Sequence, residues 1–247
     1  MEDVLKVSHL NVYYKQYAKS LFKKPTVFHA VKDVSFSVGE GEILGLLGES
    51  GCGKSTVAKA VLGMLPQVDG TIEHFSKNPQ MVFQDPFHSL NPARSVGQIL
   101  KEPLRNLTDL SKEAQEEKAV SMIKRVGLDE KYLSHYPKEL SGGQRQRVAI
   151  AAALMLEPKL LIADEPVSAL DVTIQAQIID LMLKLRDEMK LSMIFISHDL
   201  RVVYQMCDRI VIMKEGMIVE EGRVEDVYVN PSHPYTKTLI EAANLKV

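Results

Sequence analysis

The segment Gly48-Glu49-Ser50-Gly51-Cys52-Gly53-Lys54-Ser55 constrains this chain more than any other. It has the spacing GxxxxGK[ST], and it lies between a short apolar run, Glu42–Leu47, and a helix-forming stretch, Thr56–Leu65. A strand that enters glycines and leaves as a helix is the unit from which α/β folds are built. The glycines let the backbone turn its N–H groups toward phosphate oxygens. The helix N-terminus adds a favourable field for an anion. Lys54 has the reach for the β- and γ-phosphates of a nucleotide, and the Ser55 hydroxyl is a ligand for Mg²⁺. Residues Gly48, Glu49, Ser50, Gly51, Cys52, Gly53, Lys54, Ser55 and Thr56 are therefore the candidate nucleotide contacts. By itself the segment says only that a nucleotide phosphate is bound.

The rest of the chain supplies the fold class. Val4–Tyr14 and Val31–Val38 carry strand patterning, with KQYAKSLFKKPTVFHA between them expected as a basic loop. Gln80–Phe83 is expected as a further strand. Residues 86–138 change character: Pro86, Pro92 and Pro103 punctuate the start, and Lys112–Val126 reads as a charged amphipathic helix. Beyond it the alternation resumes. A helix follows Gln144, Leu160–Ala163 is a buried strand, and Thr173–Lys190 is a helix with Ile174, Ile178, Leu181 and Leu185 on one face. Met193–Ile196 is a strand, Ile210–Met213 and Met217–Glu221 form a hairpin, and the tail is helical. The expectation is an α/β fold with a mostly parallel sheet. It is organised as one domain over 1–247, with 86–140 as an inserted helical subdomain.

A second strand end carries chemistry. Leu160-Leu161-Ile162-Ala163-Asp164-Glu165 is an apolar strand closing on two carboxylates. In open α/β sheets ligands sit beyond the carboxyl ends of strands. Asp164 is then placed to hold Mg²⁺, directly or through water, and Glu165 to polarise the water that attacks a γ-phosphate. On its own this pair reads better as a solvated acidic turn. The phosphate loop upstream favours the functional reading. A formal charge of −2 gives no general electrostatic case for nucleic acid or acidic membranes. The longest apolar runs, such as Ile43–Leu47 and Ile150–Leu156, are too short to cross a bilayer. No export signal is visible. The two cysteines, Cys52 and Cys207, fit a reducing compartment.

Leu140-Ser141-Gly142-Gly143-Gln144 then narrows the field. It resembles the LSGGQ signature of ATP-binding cassette (ABC) ATPases, and the likeness extends over nearly the whole chain with its elements in the family's order. By that resemblance the fold is the P-loop NTPase fold of ABC ATPases, with a small antiparallel β part. Gln84, in VFQDP, resembles the Q-loop glutamine, which serves catalysis and the metal. Ser168-Ala169-Leu170-Asp171 resembles the D-loop, with Asp171 at the nucleotide. His198, in ISHD, resembles the switch histidine. Tyr14 stands where the family places the aromatic that stacks on adenine, with Tyr13 as the alternative. Ser141, Gly142 and Gly143 also offer a hydroxyl and open N–H groups just before a helix, a second anion site. The family resolves two anion sites in one chain by a head-to-tail dimer. Each ATP lies between the phosphate loop of one subunit and the signature, Ser141 to Gln144, of the other.

Two further segments resemble the oligopeptide/dipeptide/nickel importer ATPases: Gln84-Asp85-Pro86-Phe87-His88-Ser89-Leu90-Asn91-Pro92-Ala93-Arg94, and Pro231-Ser232-His233-Pro234-Tyr235-Thr236-Lys237. The resemblance implies an importer subunit that binds ATP and Mg²⁺ at the cytoplasmic face of the membrane. Its partners would be two transmembrane permease subunits, a second ABC ATPase subunit and, indirectly, an extracytoplasmic solute-binding protein, with no nucleic acid. The chain departs from the pattern in two ways. The stretch between Gly63 and Gln80 is short, which implies a reduced antiparallel region and leans toward nickel or metal-chelate cargo, small peptides remaining open. With only Cys52 and Cys207 it cannot build the iron–sulfur cluster of the longer peptide-importer subunits. The rival readings are a soluble ABC ATPase of translation or DNA repair, and a P-loop kinase. The first is expected to carry two cassettes or a long coiled coil, and the second has no use for LSGGQ.

Overall fold

The computed structural model describes residues 2–16 and 26–243, the side chains of Phe87 and His88 excepted. The elements follow in chain order as β1 (Asp3–Gln16), β2 (Thr26–Gly39), β3 (Ile43–Leu47), α1 (Lys54–Val61), β4 (Val68–His74), β5 (Gln80–Val82), α2 (Pro86–Ser89), α3 (Val96–Leu107) and α4 (Lys112–Arg125). Two short 3₁₀ turns, Glu130–Ser134 and Pro137–Glu139, come next. The remainder is α5 (Gly142–Leu154), β6 (Leu160–Asp164), α6 (Val172–Met189), β7 (Ser192–Ile196), α7 (Leu200–Met206), β8 (Arg209–Lys214), β9 (Met217–Arg223), α8 (Val224–Val229) and α9 (Pro234–Ala242). These elements fall into two compact units, one of residues 1–76 with 192–247, the other of residues 77–191.

In the first unit β3 is the hub. All five of its residues are buried, as a strand covered on both faces requires. It pairs in parallel with β7 on one side, Leu46 opposite Ile196, and with β8 on the other, Leu46 opposite Val211. The chain then reverses through Glu215 (φ 51°) and Gly216 (φ 86°), two consecutive left-handed residues of a primed hairpin turn, and β9 returns antiparallel to β8. Beside these strands β2, β1 and β4 form an antiparallel sheet in that order. The mostly parallel core with a smaller antiparallel part is thus as expected. The second unit holds β5 and β6, paired in parallel with Met81 opposite Ile162, and helices α2 to α6.

Several boundaries differ from the sequence reading, for identifiable reasons. Lys15, Gln16 and residues 26–30 are not loop: they extend β1 and β2 as a hairpin arm, with Lys15 opposite Val27. The remainder of that expected loop, 17–25, lies outside the described residues. The short stretch after Gly63 still supplies a full strand, β4, on the edge of the antiparallel sheet. Its sequence, VDGTIEH, hides it, because neither face is buried enough to alternate cleanly. Helix α1 stops at Val61, not Leu65. Gly63 takes φ 67°, its N–H donates to the Ala60 carbonyl, and Met64 N–H donates to the Lys59 carbonyl. That is a Schellman motif, which closes a helix one residue before its glycine.

Candidate functional site

The phosphate loop is built where β3 ends. Gly48 has φ 146°, and a Cβ there would sit 2.3 Å from the Met213 carbonyl oxygen, so no larger residue fits the start of the turn. The loop delivers Gly53 to the N-cap of α1, and glycine has no side chain to cap with. Ser95, Ser111, Ser141, Asp171 and Asp199, by contrast, each cap the following helix with a side-chain oxygen. The first turn of α1 is thereby left for an outside acceptor, which suits a phosphate. Lys54 is only 5% exposed. Its Nζ donates to the carbonyls of Gly48 (2.7 Å) and Glu49 (2.9 Å), which hold the ammonium inside the turn.

The same unit gathers three more side chains around this loop. The pairing of β3 with β7 sets the end of β7, and with it His198, alongside the end of β3 from which the loop starts. Tyr13 and Tyr14 separate: the Tyr13 ring stacks on His29 at 4.4 Å, whereas Tyr14, 37% exposed, brings its hydroxyl to 3.4 Å from Thr56 Oγ1, just past the loop. The third contact was missed in the sequence. The Tyr235 hydroxyl accepts a hydrogen bond from the Glu49 N–H at 3.2 Å. The tail that carries Tyr235 reads locally as a surface helix, and nothing near it in sequence signals a partner 186 positions away.

The second unit assembles the remaining candidates. Asp164 ends β6 and is 7% exposed. Glu165 follows at φ 47°, a left-handed conformation for a residue that precedes Pro166. Gln84 Nε2 donates to Glu165 Oε2 at 3.1 Å, so two residues 81 apart in sequence meet. Gln84, Gly142, Arg145 and Leu170 line one pocket of about 140 Å³. Ser141 caps α5 in a capping box. Its Oγ accepts from Gln144 N–H, and the Gln144 side chain accepts from Ser141 N–H and donates to the Tyr132 hydroxyl. The geometry thus gives Gln144 a structural task. Gly143 is required by packing: a Cβ there would lie 2.6 Å from Ile174 Cγ2 on α6. Asp171 caps α6 through the Ile174 N–H at 3.0 Å. Serine hydroxyl, aspartate carboxylate and glutamine amide at Ser55, Asp164 and Gln84 are hard oxygen donors, the kind Mg²⁺ takes together with phosphates and water.

A profile of the ABC transporter family matches residues 31–168. The chain belongs to the ABC transporter family. It is an ATP-binding subunit of that family, and its activity is ATP hydrolysis coupled to transport. The oligopeptide transport ATP-binding protein OppF of Haemophilus influenzae is 47% identical over 259 residues, spanning 98% of this chain and 78% of that protein. The dipeptide transport ATP-binding protein DppF of Escherichia coli is 45% identical over 240 residues, 91% of this chain and 72% of that one. Among solved structures, cbiO1 from Clostridium perfringens, part of the ABC transporter complex cbiONQ, superposes with a TM-score of 0.79 at 30% identity. It covers all of this chain (100%) and 96% of cbiO1. The post-hydrolysis dimer of the ATP-binding cassette MJ0796, bound to ADP and Pi, gives 0.77 at 28% identity over 89% of this ABC subunit and 98% of MJ0796. Among the described residues of this subunit, no helix is long and apolar enough to cross a membrane.

Proposed function

We propose that this ABC subunit powers the uptake of small peptides through two permease subunits, working from the cytoplasmic face of the membrane with a second ATPase subunit beside it. The observation that carries the reading is the 44–47% identity to oligopeptide and dipeptide ATP-binding proteins over nearly the whole chain.

In this reading the residues divide the work. Main-chain amides of the phosphate loop and Lys54 hold the β- and γ-phosphates, and Tyr14 stacks on the base. Ser55, Asp164 and Gln84 would hold Mg²⁺, which supplies neutralisation of phosphate charge. Glu165 takes the proton of the attacking water, its carboxylate oriented by Gln84, and His198 contacts the γ-phosphate. The signature of the second ATPase subunit completes the charge-stabilising shell from the other side, and Ser141, Gly142 and Gly143 do the same for that subunit's nucleotide. Asp171, as the cap of α6, places the turn that follows Glu165. Movement of the Gln84 loop passes to the permeases through the second unit. There a groove of about 220 Å³ of mixed polarity, lined by Gln80, Met81, Phe83, Ser89, Leu90 and Pro103, offers a seat for a permease segment.

Cargo is tested by complementation. In cells lacking this subunit, the wild-type chain is expected to restore uptake of labelled di- and tripeptides, and Lys54→Ala is not. Restored nickel uptake with no restored peptide uptake would overturn the peptide reading.

A further inference from the structure

The C-terminal helix is anchored independently of the phosphate loop, yet it touches it. Glu220, on β9, accepts hydrogen bonds from the N–H groups of Ser232 (2.6 Å) and His233 (3.1 Å) and so fixes the turn before α9. His233 Nδ1 then accepts from the Tyr235 N–H at 3.1 Å, capping the helix. The Tyr235 ring, 9% exposed, packs with Lys214 Nζ 4.8 Å from its centroid, and Lys214 is the last residue of β8. These contacts leave the phenol little freedom. It meets the loop at Glu49, whose N–H donates to its hydroxyl.

That N–H belongs to the same peptide unit as the Gly48 carbonyl. The unit is planar and trans, so its N–H and C=O point in opposite directions. On one side the plane is held by Tyr235, and on the other its oxygen accepts from Lys54 Nζ at 2.7 Å. A tilt of the plane at the tyrosine end moves the oxygen at the lysine end. A hydrogen bond at the N–H also polarises the carbonyl as an acceptor. A second grip, Gly216 N–H to the Cys52 carbonyl at 3.0 Å, holds the far side of the turn. With the turn held there, the Tyr235 hydroxyl restrains the N–H edge of the Gly48–Glu49 plane.

We propose that Tyr235 is a positioning residue for Lys54. Through one peptide plane, the C-terminal helix sets where the phosphate-binding ammonium stands. The proposal rests on the reading that Lys54 binds ATP phosphates.

The test uses the full chain, with binding of a fluorescent ATP analogue and Mg²⁺, steady-state KM and kcat, and the nucleotide-free Tm measured together. Tyr235→Phe removes one hydrogen-bonding atom and keeps the ring. It is expected to raise both the Kd and the KM for ATP roughly 3–10-fold, the loss of one ordinary hydrogen bond, with kcat within about twofold and the nucleotide-free Tm within about 2 °C. Glu220→Ala, which frees the anchor, should raise KM similarly, and the double variant should be no weaker than the worse single one. Lys237→Ala, on the exposed side of α9, should behave as wild type. Unchanged ATP affinity in Tyr235→Phe, or an affinity lost only in step with the nucleotide-free Tm, would overturn the proposal. Lys54→Ala separates the two levels: if it loses ATP binding while Tyr235→Phe does not, only the positioning claim falls. If Lys54→Ala binds as wild type, the lysine reading falls with it.

Discussion

At the scale of single residues, Glu165 stands out for its backbone. A left-handed φ of 47° is uncommon for glutamate, and a following proline restricts the residue before it further. Such a conformation costs on the order of 1–3 kcal/mol and persists where the surroundings impose it. Here Ser168 contributes, its N–H and hydroxyl both donating to the Glu165 carbonyl at 3.3 and 3.1 Å. The result turns the side chain toward Gln84. Glu165→Gln keeps the shape and one acceptor for Gln84 but cannot take a proton. Its ATP turnover is expected to fall by about 10²–10⁴, the usual worth of a general base, with ATP affinity within about threefold of wild type. Turnover at the wild-type rate would remove Glu165 from the base role.

At the scale of elements, the ends of helices carry most of the local logic. Helix α5 opens with a capping box and packs so closely on α6 that only glycine fits at position 143. Helices α7 and α8 meet through a buried phenol: Tyr228 is 4% exposed, and its hydroxyl donates to the Leu200 carbonyl at 2.5 Å. Burial, and then the nearby Cys207, Asp199 and Tyr204, push the Tyr228 phenol far above its ordinary range. Burial, and then Asp208, push the Cys207 thiol up as well. Both groups stay protonated in the folded chain at pH values where the unfolded chain has released them. Their contribution to stability is therefore level below about pH 8.5 and declines as pH rises above the unfolded values near 8.5 and 10, by about 1.4 kcal/mol per pH unit for each group. A Tm series from pH 7 to 11 should show this decline. In Tyr228→Phe the part above pH 10 should flatten, although the variant starts lower at pH 7 for want of the hydrogen bond. An unflattened slope would place the alkaline lability elsewhere.

At the scale of the whole molecule, the candidate anion sites lie on different units. The phosphate loop and His198 belong to the first, the signature Ser141–Gln144 and the Asp164–Glu165 pair to the second. If the signature serves a neighbour's nucleotide, slow turnover should trap the pair. Glu165→Gln with ATP and Mg²⁺, alone or mixed with the companion ATPase subunit, is then expected to shift to dimer mass in light scattering and to return to monomer with ADP. No shift in either mixture would remove the head-to-tail arrangement.

Read alone, the chain of residues settled the phosphate loop, the strand–helix alternation, the signature and the acidic strand end. Each of these is written in spacings of a few positions, where backbone geometry and side-chain chemistry act locally. Only tertiary structure decided which tyrosine approaches the loop, since Tyr13 and Tyr14 differ by one step along a bulged strand and the partners His29 and Thr56 choose between them. It likewise decided that Gly143 answers to Ile174, that Gln84 reaches Glu165, and that β4 exists at all. The same holds for Tyr235, whose meaning lies 186 residues away on the Glu49 amide. The reason is common to all of them: a hydrogen bond or a close contact between distant segments leaves no periodic trace in either segment, because it depends on where the fold has carried them.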